Sequence, residues 1–477
     1  GFRGLWAAEG KVMLLLDGHE LTELAYLTTP LGNRLPLAWV ERIEIIRGPG
    51  SALYGGTAEL AVVNIVTRSA ASLDGIDLSA SYGQFVGDTA DGEFAQGYAR
   101  RNLSAAYGQS WGDDFALRSA VFVGQGQRSD RDYTDFYGTK YDLSGKSQLD
   151  PLMVSLAIDS HGFWLRYLFE DFRTTHRDAY DEALDDSYRA DFLASSLQVG
   201  HDWQLGEDWA MQSSLRWVLQ RPWWNDAPSA PVDDPVYELV YYNGQFQRLG
   251  LRENLLYTGY APLRLWLGGE YTFDHGSDDL NPIGGEGGAL SASAHNLAAF
   301  VQAVLRWSHS SLALGLRSEW HSRFGASIVP SAAFSQSVGP VHGKFLFSQT
   351  FRSPGYVNLA VNPDIDPERT QTVELELGVT VASMLELAVN LFDIEIDDTI
   401  VYSFAGGEEG YANGGESGTM GLEAELRFAL EPVTASLAYS TYTADLHDNV
   451  PYYSVSGDDD ELLAFSPHKL SLRAAAE

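Results

Sequence analysis

Residues 372–381 of this chain read TVELELGVTV, and their strict alternation decides the class of fold. Valine and leucine occupy every second position, while threonine, glutamate and glycine occupy the positions between them. Residues 421–430 (GLEAELRFAL) and 312–320 (LALGLRSEW) repeat the pattern. Side chains of a β-strand point alternately to the two faces of its sheet, so each segment is predicted to be a strand with one apolar and one polar face.

Strands of this kind occur in two architectures. A soluble sandwich buries the apolar faces against a second sheet, whereas a membrane barrel turns them to lipid around a watery lumen. The predicted strands are about 9–12 residues long, which suits a tilted membrane crossing. Aromatic residues lie near their ends, and short connections (160–162, 309–310 and 431–432) alternate with long acidic ones. We therefore predict a large antiparallel transmembrane β-barrel, with a soluble β-protein as the alternative.

Composition narrows the classes of function. The chain has 31 Lys and Arg against 65 Asp and Glu, a net charge of −34, which argues against nucleic acid as a partner because phosphate binding needs a basic surface. It has no cysteine, which excludes disulfides, thiolate metal sites and cysteine nucleophiles. The sequence carries neither a nucleophile-elbow motif nor a metalloprotease helix motif, and we expect no enzyme activity.

The number of strands bears on the completeness of the barrel. We expect about 18 strands between residues 76 and 473, and a barrel must close to remove its edges. The chain ends at residues 470–477 (LSLRAAAE) without the terminal aromatic residue that usually ends a bacterial barrel strand. We therefore expect either that further strands are missing from the C-terminus or that the count is in error.

The first 70 residues differ from the rest. Val12–Leu16 is a short apolar segment that ends in the turn signal Asp17-Gly18, and residues 62–67 read as another strand. The glycine-rich stretch 48–56 (GPGSALYGG) lacks the Gly-Lys-Ser/Thr ending of a nucleotide-binding loop, so its glycines are expected to serve tight turns. This part is predicted to be a small α/β or β domain that precedes the barrel.

Four segments of this domain strongly resemble the plug of TonB-dependent outer-membrane receptors. They are 13–18 (MLLLDG), 35–37 (LPL), 40–55 (VERIEIIRGPGSALYG) and 63–68 (VNIVTR). Weaker similarities follow in the barrel, at 351–354 (FRSP), 362–368 (NPDIDPE), 413, 421–423 (GLE) and 466–469 (SPHK). The resemblance implies a barrel of about 22 strands around a plug. Residues 1–70 would be the C-terminal part of the plug, and 71–477 the barrel without its last strands.

The resemblance also implies a function. Such receptors import a scarce nutrient across the outer membrane of Gram-negative bacteria, with energy from the TonB–ExbB–ExbD complex. The cargo is expected to be a ferric siderophore or another metal chelate, and outer-membrane lipid and lipopolysaccharide are further expected partners. The segment through which the family couples to TonB is missing from this chain, which we expect to be a fragment. The alternatives are a cobalamin or haem importer and a non-transporting surface receptor or adhesin on the same fold.

A plug–barrel contact is expected from charged residues on both parts. The resemblance implies an arginine–glutamate cluster, with Arg3, Arg42 and Arg47 on the plug and Glu374 and Glu423 on barrel faces towards the lumen. A charge in a partly dehydrated lumen needs a partner, which favours the same hypothesis. The alternative is that each is a solvated lumen residue.

Aromatic residues of one long loop are the candidate ligand contacts. Trp223, Trp224, Tyr241 and Tyr242 would form an aromatic wall, although anchoring at the membrane interface explains them equally well.

Acidic loop residues are the candidate metal ligands. We expect no required cofactor, but Asp185, Asp186, Asp278 and Asp279 offer carboxylate oxygens suited to Ca²⁺. The alternative is that these acids are solvated loop charges.

Overall fold

A computed structural model describes most of the chain. The described residues are 2–7, 9–47, 55, 58–85, 98–112, 114–129, 131–134, 138–143, 145–179, 182–225, 243–279, 283, 289–382, 384–403, 410–444, 447, 450, 454–455, 458–462 and 466–476. Within them, no helix has the length and apolarity that a membrane crossing requires.

The first part of the chain folds as a four-stranded mixed sheet in the order β2-β1-β4-β3. Its strands are β1 Val12–Leu16, β2 His19–Glu20, β3 Val40–Arg47 and β4 Ala61–Thr67, and a 3₁₀ helix spans Leu37–Trp39. β1 runs parallel to β4, and the other pairs are antiparallel. Asp17 and Gly18 both have positive φ and form the predicted turn between β1 and β2. We call this sheet and its loops the plug.

A short helix joins the plug to the barrel. Helix α1 (Ala70–Leu73) begins after Ser69, whose side chain accepts a hydrogen bond from the Ser72 backbone N–H. It ends at Asp74, and the first barrel strand begins at Gly75. The transition therefore falls between Thr67 and Gly75.

Eighteen strands form the closed barrel, and the last strand adjoins the first. They are β5 Gly75–Gln84, β6 Tyr98–Trp111, β7 Phe115–Gly126, β10 Leu149–Ser160, β11 Phe163–Ala179, β12 Glu182–Gln204, β13 Trp209–Trp224, β14 Gln245–Tyr260, β15 Leu263–Ser277, β16 Ser291–Trp307, β17 Ser310–His321, β18 Gly325–Val338, β19 Val341–Arg352, β20 Glu368–Val381, β21 Leu385–Asp397, β24 Ser417–Leu430, β25 Val433–Thr443 and β28 His468–Ala476. Each registered pair is antiparallel, as between β20 and β21. The predicted fold class and the expected 18 strands are confirmed.

Short elements lie in the long connections of the barrel. They are β8 Asp132–Thr134 with β9 Lys140–Asp142, β22 Ile400–Ser403 with β23 Gly410–Asn413, β26 Ser454–Val455 with β27 Asp458–Leu462, and helix α2 Tyr356–Val361. The opposite end of the barrel has tight turns. His161 and Gly162, for example, both have positive φ, as a two-residue hairpin requires.

The alternating pattern places the apolar face of the barrel outward. In β20, Leu375 and Leu377 are 45% and 58% exposed, whereas Thr372 on the lumen side is 1% exposed. The outer face is therefore apolar, as a lipid-facing surface requires. Buried side chains concentrate instead between the plug and the inner wall.

Candidate functional site

The two largest apolar clusters hold the plug against two sectors of the wall. Plug residues Leu16, Leu21, Trp39 and Ile65 pack against β6, β7, β10 and β11 through Ala106, Ala120, Phe122, Met153 and Leu168. On another side, Leu5 and Leu60 pack against β21 and β25 through Phe392, Ile394, Ile396 and Tyr442. These contacts join the plug to residues far away in the sequence, so side chains of the plug and of the barrel are buried together.

Arg3 lies at the centre of the predicted arginine–glutamate cluster. Its guanidinium donates to Glu374 (2.9 Å) and Glu423 (3.0 Å) and stacks over the Phe392 ring, 4.5 Å from its centroid. Arg47 reaches Glu423 at 3.4 Å, but its side chain is 64% exposed, compared with 3% for Arg3. The structure therefore brings four of the five predicted residues together.

The fifth predicted residue, Arg42, has a different role. Its guanidinium pairs with Glu44 (2.8 Å) and Glu41 (3.7 Å) on its own strand, β3. No barrel carboxylate in the described part of the chain lies within 4 Å of it. Arg42 occupies the exposed side of an edge strand, where neighbouring glutamates are closer than the wall.

A second charged network joins the plug to the wall, and sequence reasoning did not find it. Lys11 of the plug donates to Glu368 of β20 (2.8 Å) and lies 3.4 Å from the plug residue Glu59. Arg352 of β19 donates to Glu368 (2.6 Å) and to the carbonyl of Glu9 (2.7 Å). All four charged side chains are buried, so their pairing compensates for lost hydration. Arg352 and Glu368 lie in two barrel segments that resemble the family, and this resemblance was the one sequence feature that pointed to them.

Further polar contacts fix other parts of the plug. Arg34 forms a bidentate ion pair with Glu170 of β11. Gln220 of β13 donates to the Thr22 carbonyl (3.1 Å) and accepts from the Leu24 backbone N–H (3.0 Å). These contacts place the plug loop that follows β2 against the wall.

The turn between β1 and β2 is held by Asp17 and His19. Burial opposes ionisation of Asp17, but Arg118 of β7 (2.7 Å) and two hydrogen bonds from Thr67 outweigh it and lower the pKa of Asp17. Burial lowers the pKa of His19 to about 4, and its Nδ1 lies 2.7 Å from the Ser196 hydroxyl. At neutral pH this turn is therefore held by an aspartate and a neutral histidine.

The predicted aromatic wall is described only in part. Trp223 joins a cluster with Tyr26 of the plug, His176 and Phe192, with ring centroids 6.2, 5.8 and 4.8 Å away. Trp224 lies outside that cluster and donates to Asn243 (2.7 Å). Tyr241 and Tyr242 lie outside the described residues.

Two of the four predicted calcium ligands, Asp278 and Asp279, have described side chains. Asp278 accepts from the Asn243 backbone N–H and Asp279 from its side-chain amide. The side chains of Asp185 and Asp186 lie outside the described residues. Elsewhere in the described part, the carboxylates of Glu395, Asp397 and Glu416 lie within 4.8 Å of one another, and His447 Nδ1 is 3.2 Å from Glu416.

A polar cavity of about 340 Å³ separates the plug sheet from strands β13–β17. Met13, Leu15, Glu20 and Asn64 border it from the plug, and helix α2 contributes Tyr356. The wall side carries five arginines.

Comparisons with known proteins agree with this architecture. Residues 124–476 match the family model described as "TonB dependent receptor-like, beta-barrel", and residues 1–62 match "TonB-dependent Receptor Plug Domain". The vitamin B12 transporter BtuB of Vibrio vulnificus is 22% identical over 87% of this chain, and that of Vibrio cholerae is 24% identical over 91%. The chain spans 63% and 67% of the length of these two relatives.

Among solved structures, the chain is similar to a mutant of the ferric enterobactin receptor PfeA of Pseudomonas aeruginosa in complex with enterobactin. The TM-score is 0.72 at 17% identity, with 92% of this chain and 74% of that chain covered. The family model matches more than half of the chain, and the plug sits inside the barrel as the sequence resemblance predicts. The chain therefore belongs to the TonB-dependent receptor family.

Proposed function

We propose that this protein is a receptor of the Gram-negative outer membrane that binds a metal chelate and imports it with TonB-supplied energy. The TonB–ExbB–ExbD complex would pull on the plug through a segment outside this chain. Outer-membrane lipid and lipopolysaccharide would surround the apolar outer face. We propose no catalytic role.

The plug–wall interface is the observation that carries this proposal. Ion pairs such as Arg3–Glu374 and Lys11–Glu368 hold the plug, and a polar cavity lies between the plug and strands β13–β17. Water or charged cargo can replace a polar contact, whereas apolar packing has no such substitute. An interface of this composition supports a plug that closes the lumen at rest and moves when the TonB complex pulls on it.

A ferric siderophore or another metal chelate is our first choice of cargo. The structural neighbour named above is a ferric enterobactin receptor, and the curated relatives are vitamin B12 transporters, which makes cobalamin the second choice. Haem is disfavoured because residues 355–361, between the two barrel segments of the family resemblance, contain no histidine. Calcium in the acidic loops stays a prediction.

A tryptophan-fluorescence titration of the detergent-solubilised protein tests the cargo. The panel is ferric siderophores, cobalamin, haem and oligosaccharides, each with and without Ca²⁺. We expect saturable quenching by an iron chelate, because Trp223 lies in an aromatic cluster with Tyr26 of the plug. Trp223→Phe is expected to reduce the signal, and Trp307→Phe, on the short-turn side of the barrel, serves as the matched control.

Two outcomes would contradict the proposal. Quenching by cobalamin alone would mean that the cargo is cobalamin and not a ferric siderophore. Silence across the panel in a folded protein would favour the non-transporting receptor or adhesin.

A further inference from the structure

The plug is sealed unevenly against the wall. Apolar clusters seal it against β6–β11 and against β21 and β25. Opposite β13–β17, a smaller cluster of the described residues packs Leu24 and Ala25 of the plug against Phe246 of β14, and a cavity of about 340 Å³ separates the plug sheet from the wall. Burial of apolar surface is the main attraction between packed elements. The plug and the wall can therefore separate in this sector with the smallest loss of favourable free energy.

The wall of the cavity is rich in arginine although the chain carries a net charge of −34. Its described charged residues are five arginines and four carboxylates: Arg216, Arg248, Arg252, Arg317, Arg323, Glu20, Glu270, Asp274 and Glu319. Glu20 is the one carboxylate that the described plug residues contribute. Without Glu20, the wall alone would present five arginines against three carboxylates.

Polar atoms at the edge of the cavity lack partners. Glu20 Oε1, Asn64 Oδ1, Asn296 Oδ1 and the Tyr356 hydroxyl are buried without a hydrogen-bond partner among the described residues. Buried polar groups are nearly always satisfied by protein or by ordered water. Four such atoms around one cavity indicate that it holds water or a polar ligand.

Glu20 is positioned to close this space. Its Oε2 lies 3.2 Å from Arg248 and 3.8 Å from Arg216, and no other carboxylate of the described residues lies within 4 Å of Arg216. In the register of the wall, Arg216 is followed by Gly250 and then Thr272. A Cβ on Gly250 would lie 3.6 Å from Arg216 Nε, an ordinary contact, so the glycine leaves room for no more than a methyl group beside the guanidinium.

We propose that this cavity is the route by which an anionic cargo passes the plug, and that Glu20 closes the route until anionic groups of the cargo replace it on Arg216 and Arg248. The inference rests on the proposed function and narrows its cargo to anionic chelates. Guanidinium groups bind carboxylates and similar oxyanions through charge-assisted hydrogen bonds, which makes the exchange chemically matched. The cavity holds one such group or a small chelate, so passage of a larger cargo requires the plug to shift.

The absence of cysteine allows a direct test. Thr272→Cys places a single thiol on the wall of the cavity. Its reaction rate is measured with an anionic and a cationic methanethiosulfonate reagent of similar size, and the rate ratio is normalised to a free thiol. We expect the anionic reagent to react faster. Adding Glu20→Gln should raise the ratio about 25-fold, because one unit charge at 4 Å in water changes each rate about fivefold and the two rates move in opposite directions.

Two further backgrounds complete the test. Arg216→Gln should bring the ratio close to one. Glu374→Gln breaks another plug–wall ion pair, with Arg3, outside the lining of this cavity, and should leave the ratio unchanged. Folding of every variant is checked by the mobility of unboiled samples in SDS gels.

Three results would overturn the route. They are equal rates for both reagents, no reaction of the cysteine with either reagent, and the same shift in the Glu374→Gln background. Protection of the cysteine by a chelate identified in the fluorescence titration would support both proposals. If no chelate binds but Glu20→Gln still raises the preference for the anionic reagent, the import proposal fails and the proposal that the cavity admits anions is kept. If a chelate is taken up without any anionic preference, the route alone fails.

Discussion

Loss of Arg3 should weaken docking of the plug more than loss of Arg47. Arg3→Ala would leave Glu374 and Glu423 without their shared buried partner, and breaking such a pair costs about 3 kcal/mol or more. Arg47→Ala should cost less than about 1 kcal/mol because its side chain is exposed to water. Urea-induced release of the plug, followed by tryptophan fluorescence, measures both. Arg42→Ala is the control, since Arg42 pairs within its own strand, and equal effects of Arg3→Ala and Arg47→Ala would contradict the ranking.

His19 should make docking of the plug sensitive to mild acid. Its pKa is about 4 when docked, because of burial, and about 6.5 when free. The released state therefore binds a proton first, so docking weakens as pH falls from about 6.5 to 4, by at most about 1.4 kcal/mol per pH unit. Urea release measured across this range should show the slope, and His19→Gln should flatten it. A slope retained in that variant would assign the effect to other groups.

Residue-level contacts were the least predictable part of the site. Alternation in β20 placed Glu374 on the lumen face, but it did not indicate which plug arginine would reach it. The pair Lys11–Glu368 joins residues 357 positions apart, so its formation depends on how the plug docks. Arg42 was predicted to contact the barrel but pairs with glutamates of its own strand. The pattern of alternating charges does not reveal that an edge strand offers such local partners.

At the scale of elements, the loop that carries α2 lies against the plug. The Val357 backbone N–H donates to the Ala25 carbonyl (3.0 Å), and a Cβ on Gly355 would lie 2.7 Å from the same oxygen. Gly355→Ala should therefore push the loop off the plug and cost about 1–3 kcal/mol. Limited proteolysis of this loop is the measurement, with faster cleavage expected. Gly343→Ala in β19 is the control, because its Cβ would meet Leu377 at an ordinary 3.4 Å.

Strands were more predictable than loops. Period-two patterns and turn signals identified β20, β24 and the turn at Asp17-Gly18 from local residues alone. The structure of the long connections depends on contacts between distant segments, such as Asn413 with the Asp366 carbonyl. Local sequence therefore predicts the wall of the barrel better than the loops that frame the candidate site.

At the scale of the whole molecule, closure of the barrel predicts resistance to detergent. Because the described strands form a closed barrel in which most backbone groups pair with a neighbouring strand, SDS should not unfold it at room temperature. An unboiled sample should migrate faster in an SDS gel than a boiled one. A sample unfolded in urea beforehand is the control and should migrate like the boiled sample. Identical migration of the unboiled and boiled samples would argue for a soluble β-protein instead.

Strand β3 has a consequence for assembly. In the described part of the chain it pairs with β4 alone, and Ile43, Ile45 and Ile46 are exposed on it. An open, apolar strand edge is a template on which other chains can aggregate. Inside the lumen, the wall keeps every other copy away from that edge. The barrel thus shields this strand edge from aggregation. A plug outside the barrel would be the aggregation-prone part of the molecule.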